Sequence, residues 1–290
     1  IREQGQLLSF GIIGRGTMAG KMAGEAMHVS GIRQAGICSV PGDMAAACSL
    51  MDGSDAVYIL AEPSRRGMLV REALSRGCHV MCESPVSLEG RETGSLYRYA
   101  QEKGLVLFDA VKTAYLRAFS RLVLLVKGGA VGSVRSIDAT CTSMKPSNSW
   151  FYNKESKGGS MADWGPFVLI PVFKIFGLDY RECTFICSMD NTNQTDMFTQ
   201  VNMLYPHGTA TLRTGYGVKS EGSLVISGTK AYIYVPSPWW KTEYFEIRYE
   251  DFNNNRRYFY KVDGEGIRYE LAEFLRLIRT KGKNFTISSG

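Results

Sequence analysis

Gly11-Ile12-Ile13-Gly14-Arg15-Gly16-Thr17-Met18-Ala19 follows the run Leu7-Leu8-Ser9-Phe10 and leads into Gly20-Lys21-Met22-Ala23. A short apolar run reads as a buried strand, and the small residues after it open a helix. The junction spells G-x-G-x-x-A at Gly14, Gly16 and Ala19. Gly14 permits a tight turn, Gly16 lets the backbone approach a diphosphate, and Ala19 lets the helix lie close to the sheet. The helix N-terminus then offers unpaired N–H groups to the anion. A glycine-rich turn without a ligand would share part of this pattern, so the strand before it and the helix after it are what give the motif weight.

The same rhythm continues outward to about Asp109: QAGICSV from Gln34, DAVYILA from Asp55, RGMLVREALSRG from Arg66 and HVMCE from His79. Strands alternating with crossovers imply a doubly wound parallel sheet. A helix is expected over Leu88 to Lys103, stopped by Gly104, with a strand over Leu105 to Phe108. After about Phe119 the pattern changes. A helix over Arg121 to Lys127 precedes many strand-like runs, among them VRSIDATCTSM, ECTFICSM, GTATLRTG and YFEIRYE, which predict one large, mostly antiparallel sheet. Helices are expected at Met161 to Phe176 and Gly266 to Thr280. The fold class is therefore α/β, with a first domain over 1–117 and a second over 118–290.

With 290 residues, 44% of them apolar and 21% charged, the chain can bury two cores. No apolar run approaches the roughly 18 to 20 residues that span a bilayer, and IREQGQLLSF lacks the layout of a signal peptide. A soluble, cytoplasmic protein is the expectation, without membrane or nucleic-acid partners. The net charge of +6 is spread along the chain rather than gathered into a stripe, and the pairs Arg65-Arg66 and Arg256-Arg257 read as solvated loop edges. Seven cysteines without a CxxC pair argue against a disulfide scaffold. Cys78, His79 and Cys82 have metal-ligand chemistry, but strand alternation sets His79 on the face opposite the two thiols, so no metal is expected.

The chain resembles the glucose-fructose oxidoreductase, inositol dehydrogenase and rhizopine-catabolism group, Gfo/Idh/MocA. The likeness runs over nearly the whole length, through GIIGRGTMA, DAVYILAEP, EALSRGCHVMCESP, AQEKGLVLFDAVKTAYLRAFSRL, GGAVGSVRSI and KGGSMADWGPFVLI, and through the late stretch from ISGTKAYIYVP to GEGIRYELAEFLRLI. The resemblance implies a Rossmann domain joined to an open-sheet α/β domain that forms homodimers or homotetramers. It implies NAD or NADP as cofactor and a sugar, cyclitol or related polyol as substrate. Cofactor contacts carry over to Ile13, Gly14, Arg15, Gly16, Thr17, Met18 and Ala19, with Ser39, Pro63 and Glu83 after the next three strands. Cys38-Ser39-Val40-Pro41 offers neither an acid for a ribose 2′-OH nor an arginine for a 2′-phosphate, and Asp43 lies past a Pro-Gly turn, so the choice of dinucleotide stays open.

The catalytic motifs depart from the family. Where relatives read Glu-Lys-Pro, this chain has Glu83-Ser84-Pro85, and a serine hydroxyl can hydrogen-bond but cannot act as an ammonium. The second signature appears as Gly158-Gly159-Ser160, then Asp163, then Phe167, so the acid is kept and the proton-carrying aromatic or histidine is gone. A family histidine is also missing from Pro63-Ser64-Arg65-Arg66-Gly67. Losing one positioned acid or base removes about 10²- to 10⁴-fold in rate. Lys112 and Tyr115, after the fifth strand, are the replacements in matching surroundings, with Asp163 assisting and Ser84 hydrogen-bonding substrate or ribose. Two other readings stay open: a redox-inactive member that binds nucleotide or sugar as a sensor or partner subunit, and a cofactor-retaining enzyme of elimination or glycoside cleavage.

Two further features are ambiguous. Only 14 residues separate Val40 from Asp55, about half the length usual in relatives, which points to a pared crossover or to missing residues. The short tail at NFTISSG raises the same question. Trp239 and Trp240 could stack on a sugar ring, but packing within the sheet domain is the expected role, as it is for Tyr244, Phe245 and Tyr249.

Overall fold

A computed structural model describes residues 7–39, 43–144, 150–192 and 194–280. The tail at NFTISSG lies outside them. The chain divides into two compact units, Thr113–Gly266 and the remainder, so that the helix beginning at Ile267 belongs with the first unit. The second unit thus ends short of the 118–290 expected from the sequence.

In the first unit the chain runs β1 (Leu8–Ile13), α1 (Thr17–Ala26), β2 (Ile32–Cys38), α2 (Met44–Asp52), β3 (Ala56–Ile59), α3 (Pro63–Ser75), β4 (His79–Glu83), α4 (Gly90–Glu102) and β5 (Leu107–Ala110). The strands form one parallel sheet in the order β2-β1-β3-β4-β5. β5 begins two residues later than its apolar run suggests, because Leu105 still closes α4 through its N–H to Ala100 O. β3 is buried at every residue, as a strand covered on both faces must be.

Alternation assigns the two faces. Ile13, Val57, Ile59, Val80, Cys82 and Leu107 share a core with residues of α2, α3 and α4. Phe10, Ile12, Tyr58, Met81 and Phe108, also buried, point the other way. On that second face the ring of Phe108 meets Phe274 of the C-terminal helix, with centroids 5.6 Å apart, and Glu25 of α1 pairs with Arg268. Cys78 and Cys82 belong to the first face, while His79 accepts a hydrogen bond from Val106 N at Nδ1. Burial pushes the Cys78 thiol up to about 11. The short crossover from β2 to β3 is closed by α2, whose N-terminus is capped by Asp43 Oδ1 accepting from Ala46 N at 3.0 Å.

Arg66 corrects the expectation of a solvated loop edge. It lies in α3 with 3% of its surface exposed. Its guanidinium donates to Ala61 O and Pro85 O, tying the end of β3 to the segment after β4. The fork of donors satisfies carbonyls left over where the parallel strands stop.

In the second unit α5 (Arg117–Lys127) starts four residues before the expected helix, and β6 (Val134–Ser143) and α6 (Ser160–Phe176) follow. Then come β7 (Glu182–Asp190), β8 (Thr195–Tyr205), β9 (Gly208–Tyr216), β10 (Leu224–Gly228), β11 (Ala231–Val235), β12 (Tyr244–Tyr249) and β13 (Arg256–Phe259). They make an eight-stranded sheet, β13-β12-β11-β10-β6-β9-β8-β7, antiparallel except where β6 meets β9. The C-terminal helix, α7 (Ile267–Arg279), returns to the first unit. Trp239 is fully buried and donates from Nε1 to Thr140 O, Trp240 accepts from Thr113, and Phe245 stacks on Tyr258, so these aromatics pack within the unit as expected. Tyr249 donates to Ala130 O and Tyr244 to Glu246. Among the described residues no helix is long and apolar enough to cross a membrane.

Asp196 of β8 holds the start of α6. One carboxyl oxygen accepts from Met161 N (2.9 Å), Ser160 Oγ (2.6 Å) and Thr199 Oγ1 (2.7 Å). A Cβ on Gly159 would lie 2.1 Å from the other oxygen, and one on Gly158 would lie 2.4 Å from Phe151 O. The Gly-Gly-Ser signature is thus explained by close approach and capping. Asp196→Ala is expected to lower the unfolding free energy by about 2 to 4 kcal/mol, as a lost cap together with stranded hydroxyls should, measured by urea denaturation.

Candidate functional site

The turn after β1 is built by strand ends held level. Gly14 N donates to Cys38 O and Leu60 N to Ile13 O, each at 2.8 Å. A Cβ on Gly14 would come 2.7 Å from Leu60 O, so only glycine passes there. Gly16 adopts φ of +84°, and a Cβ built on it meets nothing within 4 Å. It is the N-cap of α1, with no side-chain cap and no acid in the first turn. The opening N–H groups and the positive end of the helix dipole are therefore offered to an outside anion. Arg15, Gly16 and Thr17 are exposed and Met18 is half-buried, whereas Ile13 and Ala19 are buried. Ile13 can reach a ligand only through its backbone. These features fit the diphosphate of a dinucleotide. Ser39, past β2, is exposed, and Pro63 is buried at the first position of α3.

The carboxyl ends of β4 and β5 carry the ionisable groups, divided by sheet face. Cys82 pairs with Asp109 and Glu83 with Ala110 in the register of the two strands. On the α3 side, Ser84 is buried beside Asp109, whose Oδ1 has no hydrogen-bond partner among the described residues. Burial pushes the Asp109 carboxyl up to about 6, against a hydrogen bond from Ser84 and the nearby Arg66 guanidinium, with Glu83 adding to the rise. The hydroxyl that stands where relatives have a lysine thus serves a neighbouring acid.

On the α7 side, Tyr58 donates its hydroxyl to Glu83. Burial first, and then the Glu83 charge, hold the Tyr58 phenol well above its usual range. Glu270, from the first turn of α7, is 3% exposed. Its carboxyl is raised well above the usual range by burial, then by Glu83, with Lys112 opposing and Asp109 adding. Lys112 opens a 3-10 turn, Lys112–Tyr115, immediately after β5. It is the last residue of the first unit before the chain enters the second.

In the second unit Asp163 stands in the first turn of α6, with its charge acting on the buried hydroxyl of Tyr216 at the end of β9. Burial and this carboxylate hold the Tyr216 phenol far above its ordinary value. Phe167 lies with its ring centroid 5.5 Å from that of Trp164, which in turn sits 5.0 Å from Trp240. Tyr216 is thus an acid-partnered phenol that motif matching passes over, because it comes from a strand far from Asp163 in sequence. Asp109, Tyr58 and Glu270 likewise belong to no motif. Their signal is a polar group inside an apolar pattern: LFDA, AVYI, and Glu270 on the buried stripe of Ile267, Leu271 and Phe274.

A dinucleotide-binding α/β unit with ionisable groups at its strand ends, followed by a unit built on a large open sheet, is the layout of a two-domain oxidoreductase. The family model described as "Oxidoreductase family, NAD-binding Rossmann fold" matches residues 8–110, and the GFO/IDH/MocA C-terminal domain matches 119–234. The chain belongs to the Gfo/Idh/MocA family. A dTDP-3,4-didehydro-2,6-dideoxy-alpha-D-glucose 3-reductase of Streptomyces violaceoruber is 28% identical over 144 residues, covering 49% of this chain and 42% of that protein. The chain thus spans less than half the length of that relative. A trans-1,2-dihydrobenzene-1,2-diol dehydrogenase of Oryctolagus cuniculus is 24% identical, covering 79% and 71%. In fold, KijD10, a 3-ketoreductase from Actinomadura kijaniata in complex with NADP and TDP-benzene, superposes with a TM-score of 0.86 at 17% identity, covering 98% of this chain and 93% of that one. The aldose-aldose oxidoreductase of Caulobacter crescentus superposes with a TM-score of 0.84 at 18% identity, covering 98% and 92%.

Asp109 gives a prediction with a definite sign. Its folded value of about 6 lies above the ordinary 3.8, so between these values the folded protein binds more protons than the unfolded chain and stability falls as pH rises. Asp109→Asn is expected to flatten this decline and to raise stability at pH 7 by up to about 3 kcal/mol. Urea unfolding across this pH range checks it.

Proposed function

We propose that the chain is an NAD(P)-dependent oxidoreductase that moves a hydride between nicotinamide and the carbinol or carbonyl carbon of a sugar, cyclitol or related polyol. The observation that carries this reading is the uncapped glycine turn at Gly14 to Ala19, on the same sheet edge as a set of buried ionisable groups. The activities of the relatives, on deoxysugar nucleotides, aldoses and a dihydrodiol, are of one chemical kind and support it.

When bound, the dinucleotide supplies or takes the hydride, and the protein must manage the proton that accompanies it. Lys112 is the group assigned to exchange that proton with substrate oxygen, because Ser84 cannot carry a charge there. The Asp163–Tyr216 pair is assigned to orienting the substrate hydroxyl. Tyr115, three residues past Lys112 in the same 3-10 turn, is the second candidate for that proton exchange. Self-association through the large sheet is part of the reading, since edge strand β7 exposes Phe185, Ile186 and Met189, apolar surface that a second copy would cover.

A second reading, ligand binding without chemistry, draws on Ser84 and Phe167. The two separate in one experiment. Calorimetry with both dinucleotides, followed by a panel of sugars and cyclitols, is expected to give cofactor binding and substrate-dependent change in nicotinamide absorbance. Lys112→Ala is expected to keep dinucleotide affinity and to lose about 10²-fold or more in turnover. Full turnover in that variant removes Lys112 from the mechanism, and binding without any turnover in the wild type favours the second reading.

A further inference from the structure

We propose that Glu270 is the proton-exchanging partner of Lys112, a positioning residue that recharges this lysine after it has given a proton to substrate oxygen. The inference rests on the reading of Lys112 above and adds the source of its proton. Strand alternation sets Tyr58, Glu83 and Phe108 on one face, and the register places Glu83 opposite Ala110, two residues before Lys112. Phe274 rests on Phe108, and Glu270 lies one helical turn before Phe274, so α7 lays this carboxyl over the ends of β4 and β5. Glu270 is almost wholly buried, and its Oε1 has no hydrogen-bond partner among the described residues.

Two carboxyl groups set close together do not both ionise readily, and a donated hydrogen bond favours the charged form of the one that receives it. Glu83 receives the Tyr58 hydroxyl, which leaves Glu270 as the member that carries the proton. The charged groups that act on Glu270 are Glu83 on β4 and Lys112 just beyond β5, with Tyr58 of β3 on the same face and Asp109 acting from the opposite face of the sheet. Burial and the two acids keep the proton on, and the Lys112 ammonium loosens it. The first-turn position in α7 also favours the anion, so the carboxyl is not locked in its neutral form. In carbonyl reduction a bound reduced dinucleotide would supply the hydride, and the Lys112 ammonium gives its proton to the substrate oxygen, leaving a neutral amine. The Glu270 carboxyl proton passes to that amine, and the carboxylate recovers a proton from water. Oxidation of the carbinol runs the same transfers in reverse.

The test uses the whole chain with no substrate or cofactor, comparing wild type with Glu270→Gln, which keeps size and neutrality but releases no proton. At about pH 8 Asp109 is largely ionised. The infrared difference between the two proteins is expected to show the carbonyl stretch of a protonated carboxylic acid in the wild type alone, and its absence overturns the proposal. Competitive acetylation of Lys112, read by peptide mass across the alkaline range, gives the second readout. Ionisation of Glu270 strengthens the hold of Lys112 on its proton as pH rises, and the variant lacks that charge. Lys112 is therefore expected to label about tenfold faster in Glu270→Gln, the size that follows when two sites interact by about one unit, and an unchanged rate overturns the pairing. Should the variant not fold, the wild-type profile decides: two steps are expected, and a single simple step refutes the coupling. An active Lys112→Ala sinks the lysine reading itself. An inactive Lys112→Ala, with unchanged labelling in Glu270→Gln, sinks only the partnership.

Discussion

Parallel strands buried on both faces have no room for polar side chains along their length, so polar chemistry is confined to where they stop. β1, β3, β4 and β5 stop together, because their hydrogen-bond ladders and the close pass of Gly14 against Leu60 hold the ends level. Every candidate group in the first unit follows from that constraint: the anion-seeking turn after β1, the Arg66 clamp after β3, Glu83 and Ser84 after β4, and Asp109 with Lys112 around the end of β5. The arrangement is the crevice at the carboxyl ends of an open α/β sheet.

The same constraint explains what the serine does in place of the family's lysine. On the α3 face, Ser84 stands beside an acid held up by burial, with Arg66 softening the effect. On the α7 face, the half-buried Glu83 acts on both Tyr58 and Glu270, which are buried, and Lys112 acts on Glu270. A neutral residue at position 84 leaves the acids to be balanced by charges arriving from other elements. Groups whose environments push their proton affinities apart are the raw material of acid–base work.

In the second unit a motif first read for chemistry has a structural explanation as well. Gly158 and Gly159 let the chain pass Phe151 O and the Asp196 carboxyl at distances no side chain allows, and Asp196 then caps α6. The capping fixes the first turn, and the first turn presents Asp163 to Tyr216. Phe167, one turn on, packs among the rings of Trp164 and its neighbours instead of carrying a proton.

The sequence by itself determined the two sheets, nearly all their strands and helices, the diphosphate turn and the family, because these depend on local periodicity and on glycine positions that sterics dictate. It also exposed Ser84 and Phe167 as departures, since a motif shows its own gaps. Only the tertiary structure decided that Arg66 is a buried clamp, that α7 packs on the first unit, and that Tyr58, Glu83, Asp109 and Glu270 gather at one edge. Those residues lie far apart along the chain, and their proton affinities are set by burial and by neighbours from other elements, neither of which a linear pattern contains.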